Sequence, residues 1–283
     1  MELNNDSFFL FLFKDILMQN QKKCYQNVWI LSGTADGPIL AERLIKLDYI
    51  VFISVVSYKA GNVYPLNSKL HIFTGILNNK KEIKNFILKH QINFIVDATH
   101  PFAINISKNL ISACSDISLP IFRYERVYQY KSNVEFISNF EGMTHETIKN
   151  KNILLAIGSR ALSEVASLYS DIGANVFARI LATPHGISKG FSSCINHSRL
   201  AILNPNNLKG NNLEYYLCKY WSIDYILCRD SGGYSQIMWD EICLKSNIKL
   251  FLLKRPRVTT YSLIFSQYDD LIQKITQLNS RTS

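Results

Sequence analysis

Val28-Trp-Ile-Leu-Ser-Gly-Thr-Ala-Asp-Gly-Pro38 passes from an apolar run through a glycine turn to Pro38, a residue suited to a helix's first turn. This stretch predicts a buried strand over Val28–Ser32 and a helix from Pro38 to Leu47. Working outward, Val51–Val56 reads as a β-branched strand, Lys80–His90 as a helix and Asn93–Val96 as a strand. Phe102–Cys114 follows as a helix and Pro120–Arg123 as a short strand. After a less regular stretch, Ile153–Ile157 restarts the rhythm with a helix around Leu162–Tyr169. Further strands are expected at Asn175–Ile180, Arg199–Leu203, Tyr225–Cys228 and Lys249–Leu253, and helices at Glu214–Tyr220, Gln236–Leu244 and Asp269–Leu278. Alternating strands and helices imply parallel sheets covered on both faces. The expected fold is α/β, two Rossmann-like parallel-sheet domains with a cleft between them. The expected divisions are an N-terminal extension over 1–26, a first domain over 27–126, a linker over 127–150 and a second domain over 151–283.

Composition bounds the function. The 283 residues, 47% hydrophobic and 19% charged, exclude a disordered chain and a small scaffold that needs staples. An excess of 31 Lys+Arg over 22 Asp+Glu gives +9 and favours an anionic partner. No aromatic-basic motif or known binding fold points to nucleic acid. The six cysteines (Cys24, Cys114, Cys194, Cys218, Cys228 and Cys243) never form C-x-x-C, and the six histidines form no tight ligand pair. Free thiols in a reducing cytoplasm and no bound metal are expected. The apolar run Ser7–Phe13 is too short to span a bilayer, and Glu2 and Asp6 before it do not suit a signal peptide, so no membrane association is expected. Met18, just before the polar stretch Gln19–Lys23, is a candidate translation start.

Ligands of such sheets sit at the carboxyl ends of strands. At the first end, Gly33 and Gly37 permit a tight turn, the following helix start offers N–H groups to a phosphate, and Thr34 offers a hydroxyl. The second end, Val56-Ser57-Tyr58-Lys59, lacks the carboxylate that binds the ribose of NAD; Ser57 and Lys59 suit a 2′-phosphate, favouring NADP if a dinucleotide binds. Val96-Asp-Ala-Thr-His-Pro-Phe-Ala103 brings Asp97, Thr99 and His100 to a strand end, where His100 can donate a proton or orient a carboxylate. Ile157-Gly-Ser-Arg160 and Cys228-Arg-Asp-Ser-Gly-Gly233 are two further ends. Arg123, Arg126 and Arg179 lie on or beside strands, and arginines converging on one cleft would bind carboxylates. No G-x-S-x-G elbow and no P-loop is present.

Taken in order, Ser32-Gly-Thr-Ala-Asp-Gly37, Ser54-Val-Val-Ser57, Asp97-Ala-Thr-His-Pro-Phe-Ala103, Arg123-Tyr-Glu-Arg126, Gly158-Ser-Arg160, Asp230-Ser-Gly-Gly233 and Lys254-Arg-Pro256 resemble the precorrin-6A reductase family of cobalamin biosynthesis. The resemblance implies NADPH-dependent reduction of one double bond of the precorrin-6A macrocycle to give precorrin-6B. By it, Gly33, Thr34, Ala35, Asp36 and Gly37 meet the cofactor phosphates, and Ser57 and Lys59 the 2′-phosphate. Thr99 and His100 are placed near the reacting groups. Arg126, Arg160, Arg179 and the loop Asp230, Ser231, Gly232 and Gly233 are assigned to the substrate, a polyanionic tetrapyrrole that a basic protein suits. It also leaves room for hand-over to neighbouring pathway enzymes.

The chain departs from the family in three places: Ser32 replaces a glycine, Trp239 stands where the family carries a lysine, and Asn204-Pro-Asn206 represents a Gly-Pro-Phe-like segment. The alternatives are a cobalt-precorrin-6A reductase, another NADP-linked enzyme on the same fold, and a non-catalytic NADPH- or tetrapyrrole-binding module.

Overall fold

The computed structural model describes residues 26–75, 77, 79–204, 213–256 and 261–282. The expectations for the N-terminal extension as far as residue 25, Met18, Cys24 and Pro205-Asn206 lie outside the described residues. Two compact units are present, each holding a six-stranded parallel sheet.

In the first unit, β1 (Asn27–Ser32), β2 (Ile50–Val55), β3 (Leu70–Thr74), β4 (Phe94–Ala98) and β5 (Ile121–Tyr124) are joined by β12 (Ile264–Phe265) in the order β12-β5-β4-β1-β2-β3. The central strands β1 and β4 are buried on both faces, which is why they read as continuous apolar runs. Val28 and Ile30 pack on one face with Leu40, Ala41 and Leu44 of helix α1 (Asp36–Lys46). Trp29 and Leu31 pack on the other with Ile83 and Ile87 of α3 (Lys80–Lys89) and Leu110 and Ala113 of α4 (Ile104–Ser115). A short helix, α2 (Tyr58–Gly61), follows β2.

The second unit repeats the order as β6-β11-β10-β7-β8-β9. Its strands are β6 (Val134–Ile137), β7 (Asn152–Ala156), β8 (Asn175–Ile180), β9 (Leu200–Ile202), β10 (Tyr225–Arg229) and β11 (Lys249–Leu253). On one face lie α5 (His145–Ile148) and α6 (Leu162–Asp171), with Leu162, Val165, Ala166 and Tyr169 turned inward. On the other lie α8 (Leu213–Tyr220) and α9 (Tyr234–Ser246). Helix α7 (Pro184–Phe191) links β8 to β9.

Two of the expected boundaries need correction. Residues 127–150, expected as a linker, contain β6, whose Val134–Ile137 pairs in parallel with Leu250–Leu253. The last residues, expected in the second domain, belong to the first unit: Ile264 and Phe265 pair with Arg123 and Tyr124, and Leu271 and Ile275 of α10 (Tyr268–Thr282) enter its core. Each sheet thus takes its sixth strand from the segment that follows the other sheet's fifth. His100–Ile104 groups with the second unit, so the chain passes between units directly after Thr99.

Candidate active site

Each sheet reverses its order beside its first strand, at β1/β4 in one unit and at β7/β10 in the other. Such switch points open crevices for ligands. The helices that start there, α1 after Ala35, α6 after Ala161 and α9 after Gly233, have no side-chain cap. Elsewhere α2, α3 and α7 are capped by Ser57, Asn79 and Thr183, while the four-residue α5 is not. Uncapped first-turn N–H groups are donors for a ligand or water, although in α1 the first of them, Asp36 N, already donates to Thr34 Oγ1 at 3.4 Å.

At β1/β4 the polar side chains satisfy one another. Asp97, fully buried, accepts from the backbone N of Thr99 at 2.9 Å, from Thr99 Oγ1 at 2.6 Å, from Ser107 at 2.6 Å and from the Tyr261 hydroxyl. Arg123, also buried, pairs with it at 2.7 Å and donates to Thr99 Oγ1 and Thr99 O, each at 3.1 Å. Burial and the neighbouring Asp97 push the Tyr261 phenol well above its ordinary range, so it stays a donor. Asp36 accepts from Thr34 at 2.8 Å and from the Tyr268 hydroxyl at 2.7 Å.

The side chains of Thr34, Asp36 and Thr99, expected to face ligands, are therefore engaged inside the fold. Thr34 also reaches the carbonyl of Ala98, tying the ends of β1 and β4 together. What remains open is backbone. A Cβ at Gly33 would have no atom within 4 Å, whereas one at Gly37 would fall on the Tyr64 hydroxyl and lie 2.7 Å from Ser32 Cβ. Gly37 is thus required for packing and Gly33 leaves the turn accessible. Tyr64 and Ser32 share a hydrogen bond there, so Ser32, standing for a family glycine, has a structural partner. At the end of β2, Ser57 caps α2 through Ala60 N, and Lys59 is exposed with no ion-pair partner among the described residues.

At β7/β10 the second unit has a cavity of about 190 Å³. His100, Gly158, Arg179, Arg229, Gln236 and Trp239 are among the residues that line it. His100 Nδ1 accepts the N–H of Phe102 at 3.2 Å, which leaves the proton of the neutral ring on Nε2. Arg179 donates to Glu214 at 3.2 Å, both buried, and the Arg229 guanidinium lies 5.2 Å over the Phe102 ring. Burial lowers the Arg229 pKa and the nearby Arg160 charge lowers it further, though an arginine remains cationic. Arg160 itself is exposed.

The loop after β10 is held from both sides. Asp230, expected at the substrate, pairs instead with Arg255 at 3.1 Å and accepts from Tyr130 at 2.6 Å. Gly232 adopts φ +65°, a left-handed conformation suited to glycine, and a Cβ there would press on Arg126 and Arg255 at 3.0 Å. A Cβ at Gly233 would lie 2.9 Å from Arg126 Nη1, so the two glycines make room for that guanidinium. Ser231 Oγ accepts from Gly233 N at 3.3 Å. Trp239 is buried in the unit's core as well as lining the cavity.

Sequence reasoning missed Arg229 and Gln236. Arg229 stood inside the quoted run but its neighbours carried the resemblance. Gln236 had a readable signal: it is the third helical residue after the cap Gly233, where Gln reaches back to orphan N–H groups. It accepts from Ser231 N and Gly232 N at 2.5 and 2.6 Å. Among the described residues no helix is long and apolar enough to cross a membrane, and no group of three His, Cys, Asp or Glu could hold a metal ion. The described cysteines are free, and burial pushes the Cys114 and Cys218 thiols up to about 12.

The model of the precorrin-6x reductase family CbiJ/CobK matches residues 27–276. A cobalt-precorrin-6A reductase of Synechocystis sp. is 27% identical over 261 residues, covering 90% of this chain and 96% of its own. A precorrin-6A reductase of Mycobacterium tuberculosis is 31% identical over 208 residues, 73% of this chain and 79% of its own. Among solved structures, CobK precorrin-6A reductase superposes with a TM-score of 0.70 at 15% identity, over 89% of this chain and 96% of that one, a likeness of fold. With both sheets and both switch points inside the matched residues, the chain belongs to the precorrin-6x reductase family.

Proposed function

We propose that this chain reduces a double bond of the precorrin-6A macrocycle with NADPH, giving precorrin-6B. The observation that carries the cofactor half is the turn at β1: its backbone is open above Gly33, and no side chain caps the helix that follows. Pyrophosphate bound there would meet backbone donors, while Asp36 keeps both oxygens engaged by Thr34 and Tyr268. Lys59, exposed beside Ser57, supports NADPH over NADH. NADPH when bound supplies the hydride.

The protein's own groups do the rest. Arg126, Arg160, Arg179 and the loop from Asp230 to Gly233 are proposed to hold the polyanionic tetrapyrrole, Asp230 by keeping Arg255 and the loop in place. His100, with its proton held on Nε2, is the donor to the carbon next to the one reduced. Thr99 acts as a positioning residue: its hydroxyl and carbonyl, fixed by Asp97 and Arg123, set the backbone from which His100 departs. Free thiols suit a reducing cytoplasm, and hand-over of the macrocycle to neighbouring pathway enzymes belongs with this reading.

Relatives are named for both the metal-free and the cobalt-bearing substrate, so cobalt-precorrin-6A is the second reading. The test is anaerobic NADPH oxidation with each substrate, with NADH in parallel and mass spectrometry of the product. Substrate-dependent oxidation and a gain of two hydrogens are expected, and His100→Gln should lower kcat about a hundredfold. No turnover of either substrate would leave a non-catalytic binding module.

A further inference from the structure

The cavity of the second unit has an imbalance that the first unit's crevice lacks. Arg179 Nε, Arg229 Nε and Gln236 Nε2 are buried N–H donors that make no hydrogen bond of normal geometry among the described residues, the Tyr130 hydroxyl being a polar neighbour of the Gln236 amide, and all three residues line the cavity. Buried donors in native proteins nearly always find partners, so three together at one cavity ask for an acceptor group. Gln236 is 1% exposed and Arg179 8%, so both side chains are held inside the unit.

The amide orientation of Gln236 follows from its contacts. Its oxygen accepts two backbone N–H groups, so its NH2 end must be the unpartnered one. Charge points the same way. Of the two lining guanidiniums, Arg179 has Glu214 as its counter-ion and Arg229 lies over an aromatic ring, which leaves one positive charge without a carboxylate among the described residues.

Size decides how much of a ligand enters. About 190 Å³ is below the roughly 300–1,000 Å³ of pockets that enclose drug-sized molecules, so a macrocycle stays outside and only a side arm fits. The walls between the donors include Ile180 and Trp239, which suit methylene groups.

We infer that Arg179, Arg229 and Gln236 form a receptor for one carboxylate arm, an acetate or propionate side chain of the substrate, and so fix which edge of the macrocycle is presented. The identity of the arm rests on the reductase reading; the carboxylate pocket does not. Arg229 and Gln236 are then specificity-determining residues, with Arg179 completing the set.

Gln236→Glu is the informative variant, because Glu keeps an oxygen for Ser231 N and Gly232 N while replacing the NH2 donors by a negative oxygen. It is expected to raise KM for precorrin-6A at least tenfold and leave KM for NADPH within about twofold. Its melting temperature should hold or rise, since Glu would pair with Arg179 and Arg229. In parallel, sodium propionate should raise the melting temperature of the wild-type protein above matched sodium chloride, and leave Gln236→Glu unchanged. Where precorrin-6A is turned over, an unchanged KM in Gln236→Glu overturns the pocket while the reductase reading stands. Where the wild-type protein turns over neither substrate, the reductase reading fails, and propionate alone decides: selective protection of the wild type upholds the pocket and equal response of both proteins overturns it.

Discussion

In the first unit Asp36 and Asp97 lie at the ends of β1 and β4 and receive hydroxyl protons from Tyr268 and Tyr261. In the second, Asp230 and Asp240 receive theirs from Tyr130 and Tyr128. Tyr128, Tyr130 and Tyr261 come from the segments leading into the borrowed sixth strands, and Tyr268 from the start of the helix that follows one of them. Burial heads the causes that push all four phenols well above their ordinary range, with the aspartate partners adding to it, so the hydroxyls remain donors at any working pH. The units part at what is left over. The first balances its acceptors with donors and exposes backbone at Gly33; the second retains donors beyond its acceptors around a cavity. One sheet topology thus presents backbone N–H groups at one switch point, the kind of donor that suits phosphates, and guanidinium and amide groups at the other, the kind that suits carboxylates.

Asp97→Ala has the largest expected effect. It leaves Arg123, 2% exposed, without its carboxylate and should cost about 3–5 kcal/mol in a denaturant titration. Asp230→Ala should cost less, about 1–2 kcal/mol, because Arg255 is partly solvated and has Glu125 at 3.6 Å. Equal losses would mean that the two carboxylates are equally embedded.

A smaller effect separates two glycines of one turn. Gly37→Ala presses on Tyr64 and Ser32 and should cost about 1–3 kcal/mol. Gly33→Ala should stay within about 0.5 kcal/mol of wild type yet raise KM for NADPH several-fold, with KM for precorrin-6A unchanged. Thermal melts and steady-state kinetics read both; a Gly33→Ala protein with normal NADPH affinity would remove the phosphate surface from that turn.

Lys59→Ala should have the smallest effect. Its loss is expected to raise KM for NADPH about fivefold and leave NADH unaffected, near 1 kcal/mol for an exposed charge. A matching change with NADH would sever Lys59 from the 2′-phosphate.

Local pattern carried the central strands and their helices. β1, β4, β7 and β10 are apolar because both faces are covered, and the expected spans differ from the observed ones by a residue or two at their ends. Of the four edge strands β9 was legible, and the other three were not, for the same physical reason. β3 has two exposed residues in succession, β6 likewise, and β12 is two residues long, so none shows an apolar run. The glycine turns and the Asp97–His100 run were readable as strand ends.

Residue types at strand ends, their charge and the glycine turns are local quantities, and they pointed to the family. Which polar groups remain available is not local. Tyr261 reaches Asp97 across 164 residues and Tyr268 reaches Asp36 across 232, so sequence proximity gives no hint that these carboxylates are already engaged. The same holds for the donors left over at Arg179, Arg229 and Gln236, since an unpaired group is defined by everything folded around it. Pattern along the chain follows from secondary-structure period and burial; the balance of donors and acceptors in a crevice emerges only when distant segments close over it.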